Sequence, residues 1–382
     1  MEPLNVEITD SLKRVDEAEW NRLVPPDDPF TDYRFLLALE ESGSVGPEAG
    51  WSSCHVLVRH GERVVAALPL YAKDHSYGEY IFDWMWANAS HRSGIPYYPK
   101  LVSAVPFTPA TGARLLVEEG RTVDSVMHAI RAGWKRVATD LEAMSFHVLF
   151  CTESEAELWC DAGEFIRRKT FQFHWRNEGW GNFEEFLGAL RSPSRKQIRR
   201  ERRLARDSGL ELRISRGDEL GEDTWSQLYS LYRSTTDKKG AYPYLQPSFF
   251  EVIRERFSSS LVVAGAYDNG GIQAASISFQ KGRHLYGRYW GMARPDLDFL
   301  HFELCYYALI EYALERGYTL FEAGAQGAHK LKRGLLPCPT WSVHWLRHKG
   351  LREAIASHVL HEGEEVDSEM DYFSARTPFT RG

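Results

Sequence analysis

Three consecutive runs that are rich in apolar residues lie in the second half of the chain, with polar positions concentrated between them. Residues 261–267, 272–279 and 283–291 are rich in β-branched, aromatic and small apolar residues, and short polar turns separate them. The first turn, DNGG at 268–271, contains residues that tolerate a positive φ angle, which is typical of a tight hairpin. The pattern therefore predicts an antiparallel meander of three strands.

A similar pattern lies in the first half of the chain. Residues 54–59, 63–71 and 77–83 form three runs separated by polar turns. The third runs of the two sets carry related tetrapeptides, YGEY at 77–80 and YGRY at 286–289. Strand order, turn spacing and this match together predict a duplicated domain.

Helical and extended runs follow each meander. Apolar residues recur every three or four positions in 122–143 and 296–317, which indicates helices with one buried face. Further strands are predicted at 145–151, 171–177, 319–323 and 341–346. This order predicts an α/β (α+β) fold of two domains, residues 1–177 and 178–382, with mostly antiparallel mixed sheets. A purely parallel Rossmann sheet is disfavoured, because hairpin turns join the strands directly.

Composition limits the possible partners and compartments. The chain has 46 basic and 53 acidic residues, a net charge of −7, so general binding to DNA is not expected. The N-terminal sequence has no signal-peptide pattern, and no apolar run approaches the roughly 18–20 residues that cross a bilayer. The five cysteines show no CxxC pair or metal-ligand spacing. A reduced cytoplasmic protein without membrane insertion is predicted.

Three stretches resemble a known superfamily. Residues 192–212, 284–317 and 320–345 are similar to the tandem-GNAT proteins that include the Fem-type aminoacyltransferases. They most resemble the bacterial Fem-like branch linked to peptidoglycan biosynthesis or recognition. The resemblance implies two GNAT-like domains, a degenerate N-terminal one and a C-terminal one with the active site. It also implies transfer of an acyl or aminoacyl group from acyl-CoA, acyl carrier protein or aminoacyl-tRNA to a small-molecule or peptide amine.

A basic run occupies residues 195–206, on a stretch with helix-compatible apolar residues. Arg199 and Arg203 share one helical face, and guanidinium groups bind phosphate oxygens well. One interpretation is a docking surface for coenzyme A, a nucleotide-linked substrate or tRNA. The alternative is a solvated helix face.

His301 lies in the first turn of the predicted helix, whose start Asp296 or Asp298 can cap, and Glu303 follows two residues later. Either is a candidate general base. In GNAT enzymes the backbone N–H groups at the corresponding helix start hold the cofactor pyrophosphate. Here Pro295, Asp296 and Asp298 stand in place of a glycine-rich loop. The alternatives are a carboxylate that complements the helix dipole and a capping histidine.

The stretch FEAGAQGAHKLKRG (321–334) begins in the strand predicted at 319–323 and interleaves glycines with polar residues. Glycine permits close approach of the backbone to a ligand. Glu322 is the candidate base for the acceptor amine, and Gln326 and His329 are candidates for orienting the substrate. Lys330 and Lys332 are candidate ligands of a phosphate or carboxylate. The alternative is a tight connection with solvated charges.

The strand at 283–291 carries Tyr286, Arg288, Tyr289 and Trp290, and the last three are candidate substrate or donor contacts. Period-two alternation predicts that Tyr286, Arg288 and Trp290 share one face and Tyr289 takes the other. Either a binding pocket or core packing would explain the aromatic residues. The glycine-spaced stretch and the helix that begins near His301 are expected to meet in one cleft.

Motifs of other enzyme classes do not occur. The sequence has no GxSxG, HExxH, GxxxxGK[ST] or GxGxxG motif, and no metal is required by the candidate residues. The competing interpretation is a GNAT-fold binding module that recognises a cell-wall precursor or peptide without turnover.

Overall fold

The computed structural model describes residues 3–161, 163–238, 240, 242–293, 300–325 and 327–380. The chain forms two compact units. The first unit combines Met1–Thr170 with Pro339–Ser368, and the second combines Phe171–Cys338 with Glu369–Gly382. Residues 339–368 thus group with the first unit, whereas the division at 177 that the sequence suggests assigns them to the C-terminal domain.

The secondary structure is mixed throughout. The strands are β1 (Leu4–Thr9), β2 (Ser52–Ser53), β3 (His55–His60), β4 (Arg63–Leu68), β5 (Tyr71–Lys73), β6 (Lys100–Ser103), β7 (Leu116–Val117), β8 (Ser145–Cys151), β9 (Ile166–Arg176), β10 (Glu211–Arg216), β11 (Leu261–Asp268), β12 (Gly271–Lys281), β13 (His284–Met292), β14 (Leu320–Glu322) and β15 (Leu336–Leu346). The α-helices are α1 (Glu17–Asn21), α2 (Tyr33–Glu41), α3 (Trp84–Arg92), α4 (Asp124–Asp140), α5 (Glu153–Cys160), α6 (Phe183–Ala189), α7 (Ser192–Arg206), α8 (Glu222–Lys238), α9 (Pro247–Arg256), α10 (Leu300–Phe302), α11 (Ala308–Glu315) and α12 (Lys349–Ser374). None of the helices described is long and apolar enough to span a bilayer.

The first unit contains two sets of paired strands. One is an antiparallel sheet in the order β1-β3-β4-β7. The other follows the order β15-β8-β6-β5-β2, in which only β6 and β8 are parallel. Helix α4 presents Val126, Ile130 and Trp134 at a spacing of four residues, and these side chains pack with Val56 and Phe146 in one core cluster.

The run 77–83, predicted as the third strand of the first meander, forms no strand, and this prediction is wrong. Gly78 and Tyr80 adopt positive φ angles of 81° and 61°, which an extended strand does not permit. Glu79 lies between them, is buried, and accepts a hydrogen bond of 2.8 Å from Nζ of Lys100. Strand β4 pairs with β7 instead.

The second unit contains the meander predicted at 261–291, and that prediction is confirmed. Its strands follow the order β10-β11-β12-β13-β14-β9, and all neighbours are antiparallel except β13 and β14. The parallel step brings Glu322, at the end of β14, beside Tyr286, the third residue of β13. Polar residues that follow β14 are therefore placed next to those of β13.

A β-bulge interrupts β13. The register with β12 shifts between Ile277 and Ser278, and Arg288 is the additional residue on β13. Beyond the bulge Tyr289 contacts a ring on α8, whereas Trp290 packs against the cluster that contains α11. The strict period-two alternation predicted for this strand is wrong, because a bulge changes which side chains share a face.

The helical region after β13 covers the apolar face of this sheet. A π-helical segment, Glu303–Tyr307, joins α10 to α11. Leu304, Leu309 and Ile310 are buried in one cluster with Phe321 of β14. Each such side chain contributes about 1.5–3 kcal/mol when fully buried. This packing fixes the start of the helix relative to the end of β14.

Candidate active site in the second unit

Helix α7 carries the basic run and turns one face into the interior. Ile198, Glu201, Arg202 and Ala205 are buried at a helical spacing. Pro193 lies in the first turn, where its missing N–H costs no hydrogen bond. Because two of the four buried residues are charged, this face requires ionic partners inside the protein.

Arg202 finds its partners on the helical region after β13. Its Nε and Nη2 donate to Glu303 at 3.1 and 3.0 Å, and Nη2 also donates to Glu311 at 2.5 Å. Burial alone would lower the pKa of Arg202, but its hydrogen bonds to Glu311 and Glu303 raise it. Glu303, predicted as a candidate base, is thus held in a buried ion pair.

Glu201 forms a second buried link. Nη2 of Arg333 donates to it at 3.0 Å, and the hydroxyl of Tyr307 donates to the same carboxylate. The guanidinium of Arg333 also lies 3.6 Å from the ring centre of Phe302. The sequence does not reveal either of these two buried links, because Glu201 and Arg202 look like the charged residues of a solvated helix.

His301 lies beside an aromatic ring and a thiol. Its ring centroid is 4.9 Å from that of Trp290, and its Nδ1 is 3.4 Å from Sγ of Cys305. Cys305 belongs to the π-helical segment, a type of insertion that recurs at functional sites. Burial raises the pKa of the Cys305 thiol to about 12, so the sulfur stays protonated at neutral pH.

The helix start and the glycine-spaced stretch are in direct contact, which confirms that part of the prediction. The hydroxyl of Tyr306 lies 3.0 Å from Nε2 of His329. Burial, together with Arg333 and Lys330, lowers the pKa of His329, so this imidazole is neutral at pH 7. The cleft predicted between the two stretches stays a prediction.

Glu322 ends β14 between two other strands. It lies in register with Tyr286 of β13 and His174 of β9. Both Glu322 and His174 are buried, with 3.8 Å between Oε2 and Nε2. Burial lowers the pKa of His174 to about 3, and its Nε2 also lies 3.2 Å from Oε1 of Gln172. A neutral imidazole therefore faces the Glu322 carboxylate. The sequence does not show that these residues are neighbours, because they lie on strands that are far apart in the chain.

Lys330 is a buried cation in the 3₁₀ turn Ala328–Arg333. Only 1% of its surface is exposed, and its Nζ donates to the carbonyl oxygen of Gly324 at 2.6 Å. Burial lowers the pKa of Lys330 to about 8. No carboxylate among the described residues forms an ion pair with it, although its charge acts on His174 and Cys305.

The other predicted residues are distributed around this region. Arg288 and Tyr289 are partly exposed on β13, and Tyr289 contacts the ring of Tyr232 at 5.2 Å. Lys332 is exposed, two residues from the buried Lys330. Arg199 and Arg203 are exposed on α7, and Nη2 of Arg199 donates to Glu184 at 2.6 Å.

Part of the predicted site lies outside the described residues. This applies to Gln326 and to Pro295, Asp296 and Asp298 before the helix. Within the described part of the chain, no group of three or more His, Cys, Asp or Glu residues is arranged to hold a metal ion.

Comparison with protein families identifies the chain at the family level. The sequence model of FemAB-like proteins, described as peptidoglycan biosynthesis/recognition, matches residues 11–381. The chain belongs to the FemAB-like family. A comparison with curated proteins found no match.

Solved structures share the fold of this FemAB-like chain. FemX has a TM-score of 0.55 at 12% identity, covering 92% of this chain and 100% of its own. The C-terminal domain of a putative lysylphosphatidylglycerol synthetase from Agrobacterium fabrum has a TM-score of 0.54 at 11% identity, covering 91% and 95%. L-PGS from Bacillus licheniformis has a TM-score of 0.51 at 10% identity, covering 90% and 96%. The predicted fold class, α/β (α+β) with tandem GNAT-like domains, is confirmed. At these identities the likeness concerns the fold alone.

Proposed function

We propose that this FemAB-like chain transfers an acyl or aminoacyl group from an activated donor to an amine, with the reacting groups in the second unit. The observation that supports this most directly is Lys330, a buried ammonium that hydrogen-bonds one backbone carbonyl and has no described carboxylate partner. A buried charge without a counter-ion is costly. It is favourable where negative charge develops during a reaction.

In the proposed reaction Glu322 and Lys330 each have one role. The amine nitrogen attacks the carbonyl carbon of a thioester or ester, and the carboxylate of Glu322 takes the amine proton. Lys330 stabilises the negative charge that develops on the carbonyl oxygen. The C–S or C–O bond to the donor then breaks, and the leaving group departs with the electron pair. General-base assistance contributes about 10²–10⁴-fold and one oxyanion donor about 10²–10³-fold.

The neighbouring side chains position the substrates. His301, Trp290, Tyr306 and His329 form a continuous set of ring contacts beside the start of the helix. We assign them to orienting the acceptor amine and the acyl group, because alignment supplies the largest part of such a rate enhancement. Glu303 is assigned to holding Arg202 and takes no part in proton transfer.

The donor is proposed at the level of its chemical class. Acyl-CoA, acyl carrier protein and aminoacyl-tRNA all carry an activated carbonyl beside a phosphate-bearing group. Arg288, Tyr289 and Lys332 remain predicted contacts of the donor or substrate. These donors occur inside cells, so the proposal includes a cytoplasmic location.

Turnover assays with a panel of acyl-CoAs and charged tRNAs test the proposal. Lys330→Met and Glu322→Gln should each reduce kcat at least about 100-fold. Lys349→Met and Glu315→Gln remove exposed charges of the same types and serve as controls with unchanged kcat.

Two results would contradict the proposal. One is unchanged turnover by the Lys330 and Glu322 variants, if the circular dichroism spectra match that of the parent protein. The other is tight binding of a cell-wall precursor or peptide without turnover of any donor. That second result would support the alternative, a GNAT-fold binding module.

A further inference from the structure

A cavity of about 210 Å³ lies between α6 and α7, and its lining includes neither Glu322 nor Lys330. Its lining includes Arg199, Arg202, Arg203 and Arg206, which occupy one side of α7. These four guanidinium groups outnumber the two carboxylates in the same lining, Glu184 and Asp207, so an excess of positive charge faces the cavity. The cavity therefore has the electrostatic character of an anion site.

Only two of these arginines have carboxylate partners in the described part of the chain. Arg202 is held by the buried ion pair described above, and Arg199 bonds to Glu184 at the rim. Arg203 and Arg206 form no side-chain hydrogen bond or ion pair with any described residue, and both are exposed. Their donors are available to a ligand, and a guanidinium fork matches two phosphate oxygens.

The remaining lining determines the size and shape of a suitable ligand. Phe183 lies beneath the guanidinium of Arg202, with 4.2 Å between that group and the ring centre, and Leu187 adds a second apolar side chain. Glu184 and Asp207 also line the cavity. These carboxylates disfavour a long polyanion that continues past the arginines, since like charges would then approach each other.

We propose that this cavity binds the phosphate group of a small organic phosphate monoester. Arg203 and Arg206 bind the phosphate oxygens, and the apolar floor of Phe183 and Leu187 contacts the organic part. The proposal does not depend on acyl transfer, because none of these side chains belongs to the reacting set. RNA is the rival polyanion, and it would use the whole basic face of α7 rather than this cavity.

Isothermal titration calorimetry with three probes tests the proposal: phenyl phosphate, inorganic phosphate and a single-stranded RNA of about 20 nucleotides. We expect phenyl phosphate to bind more tightly than inorganic phosphate, since only the ester reaches the apolar floor. The double variant Arg203→Ala/Arg206→Ala should weaken phenyl phosphate binding by on the order of tenfold to hundredfold.

The control is the double variant Lys196→Ala/Arg200→Ala, which removes two exposed cations of α7 that do not line the cavity. It should leave phenyl phosphate binding unchanged. Equal affinity in the two double variants would overturn the proposal, and so would equal affinity for phenyl and inorganic phosphate. If phenyl phosphate does not bind and both double variants weaken RNA binding to the same extent, the basic face of α7 would be assigned to RNA instead. Exposed substitutions should leave the thermal unfolding midpoint unchanged, which separates lost binding from lost folding.

Discussion

The guanidinium of Arg202 donates from two nitrogens to the carboxylate of Glu303, and both side chains are buried. The pair joins α7 to the first residue of the π-helical segment. Inside a protein each of these charges would be costly alone, and their mutual attraction offsets that cost. The pair therefore holds the segment that carries Cys305 and Tyr306 against α7.

Removing one partner of this pair should be strongly destabilising. Arg202→Met leaves Glu303 buried without its guanidinium, and we expect a loss of about 3–5 kcal/mol in the free energy of unfolding. Urea unfolding followed by circular dichroism measures this loss. Arg199→Met breaks an exposed pair with Glu184 on the same helix and should cost less than about 1 kcal/mol. Equal losses in the two variants would show that the buried pair has no special role.

The close approach of β13 to α8 gives a second prediction. A Cβ added to Gly291 would lie 1.8 Å from the carbonyl oxygen of Leu231, a backbone atom that cannot rotate away. Gly291→Ala should therefore lower the free energy of unfolding by at least about 1–3 kcal/mol, the usual cost of overpacking. Gly188→Ala is the matched change in α6, where no atom lies within 4 Å of the added Cβ. We expect Gly188→Ala to be neutral or to stabilise the protein by up to about 1 kcal/mol. The urea unfolding midpoints of the two variants, compared with that of the parent protein, test both expectations.

Elements with a clear period were predictable because local pattern alone determines them. The apolar-rich run 145–151, predicted as a strand, corresponds to β8, and the helical stretch 122–143 corresponds to α4. The turn at 268–271 joins β11 to β12 as predicted, since its residues tolerate the required backbone angles. In each case residues that are close together in the sequence suffice to predict the element.

Features that depend on distant partners were not predictable. Arg202 and Glu303 are 101 residues apart, and nothing near either residue shows that they pair. The tetrapeptide at 77–80 resembles a strand in sequence. In the structure Glu79 is buried in a hydrogen bond with Lys100, and its neighbours Gly78 and Tyr80 adopt positive φ angles. Lys330 resembles the exposed Lys332 in sequence, and only the packed structure shows that one of them is buried.

The first unit contains a buried chain of four hydrogen-bonding side chains. Nδ1 of His147 and Nδ1 of His344 lie 2.7 Å apart on paired strands. Their Nε2 atoms lie 2.7 and 2.8 Å from the hydroxyls of Ser145 and Ser342. Burial lowers the pKa of His147 to about 3 and that of His344 well below its usual value. Both imidazoles are therefore neutral in the folded protein.

This arrangement predicts an acid-sensitive stability. Below about pH 6.5 the unfolded chain protonates both histidines, whereas the folded chain keeps His147 neutral down to about pH 3 and holds the pKa of His344 well below its usual value. The unfolded state then binds more protons, so the free energy of unfolding falls as the pH drops from about 6.5 towards 3. Each histidine contributes at most about 1.4 kcal/mol per pH unit in that window. Above pH 7 their contribution should be constant.

Urea midpoints at pH 7.5 and 5.0 measure this effect. His147→Gln should reduce the difference between the two midpoints, because one of the two titrating groups is gone. His128→Gln removes an exposed histidine of α4 and should leave the difference unchanged. The prediction fails if the two variants show the same dependence on pH.

The contact between Cys305 and His301 leads to a prediction about a tautomer. Because burial raises the pKa of the thiol to about 12, the sulfur retains its hydrogen and can donate it to Nδ1 of His301, 3.4 Å away. An Nδ1 that accepts leaves the neutral imidazole with its proton on Nε2. His301 then carries its proton on Nε2 and has its accepting nitrogen occupied by the thiol, so the role of base falls to Glu322.

Side-chain ¹⁵N chemical shifts of His301, measured above pH 7, test this assignment because the two neutral tautomers give opposite patterns for Nδ1 and Nε2. We expect a protonated Nε2 in the parent protein and in Cys305→Ser, whose hydroxyl can also donate. In Cys305→Ala this donor is lost, and the shifts should move away from the pattern of the parent protein. A protonated Nδ1 in the parent protein would reverse the assignment, since His301 would then accept at Nε2 and compete with Glu322 for the amine proton. The measurement does not require turnover, so it remains decisive even if the acyl donor is not yet known.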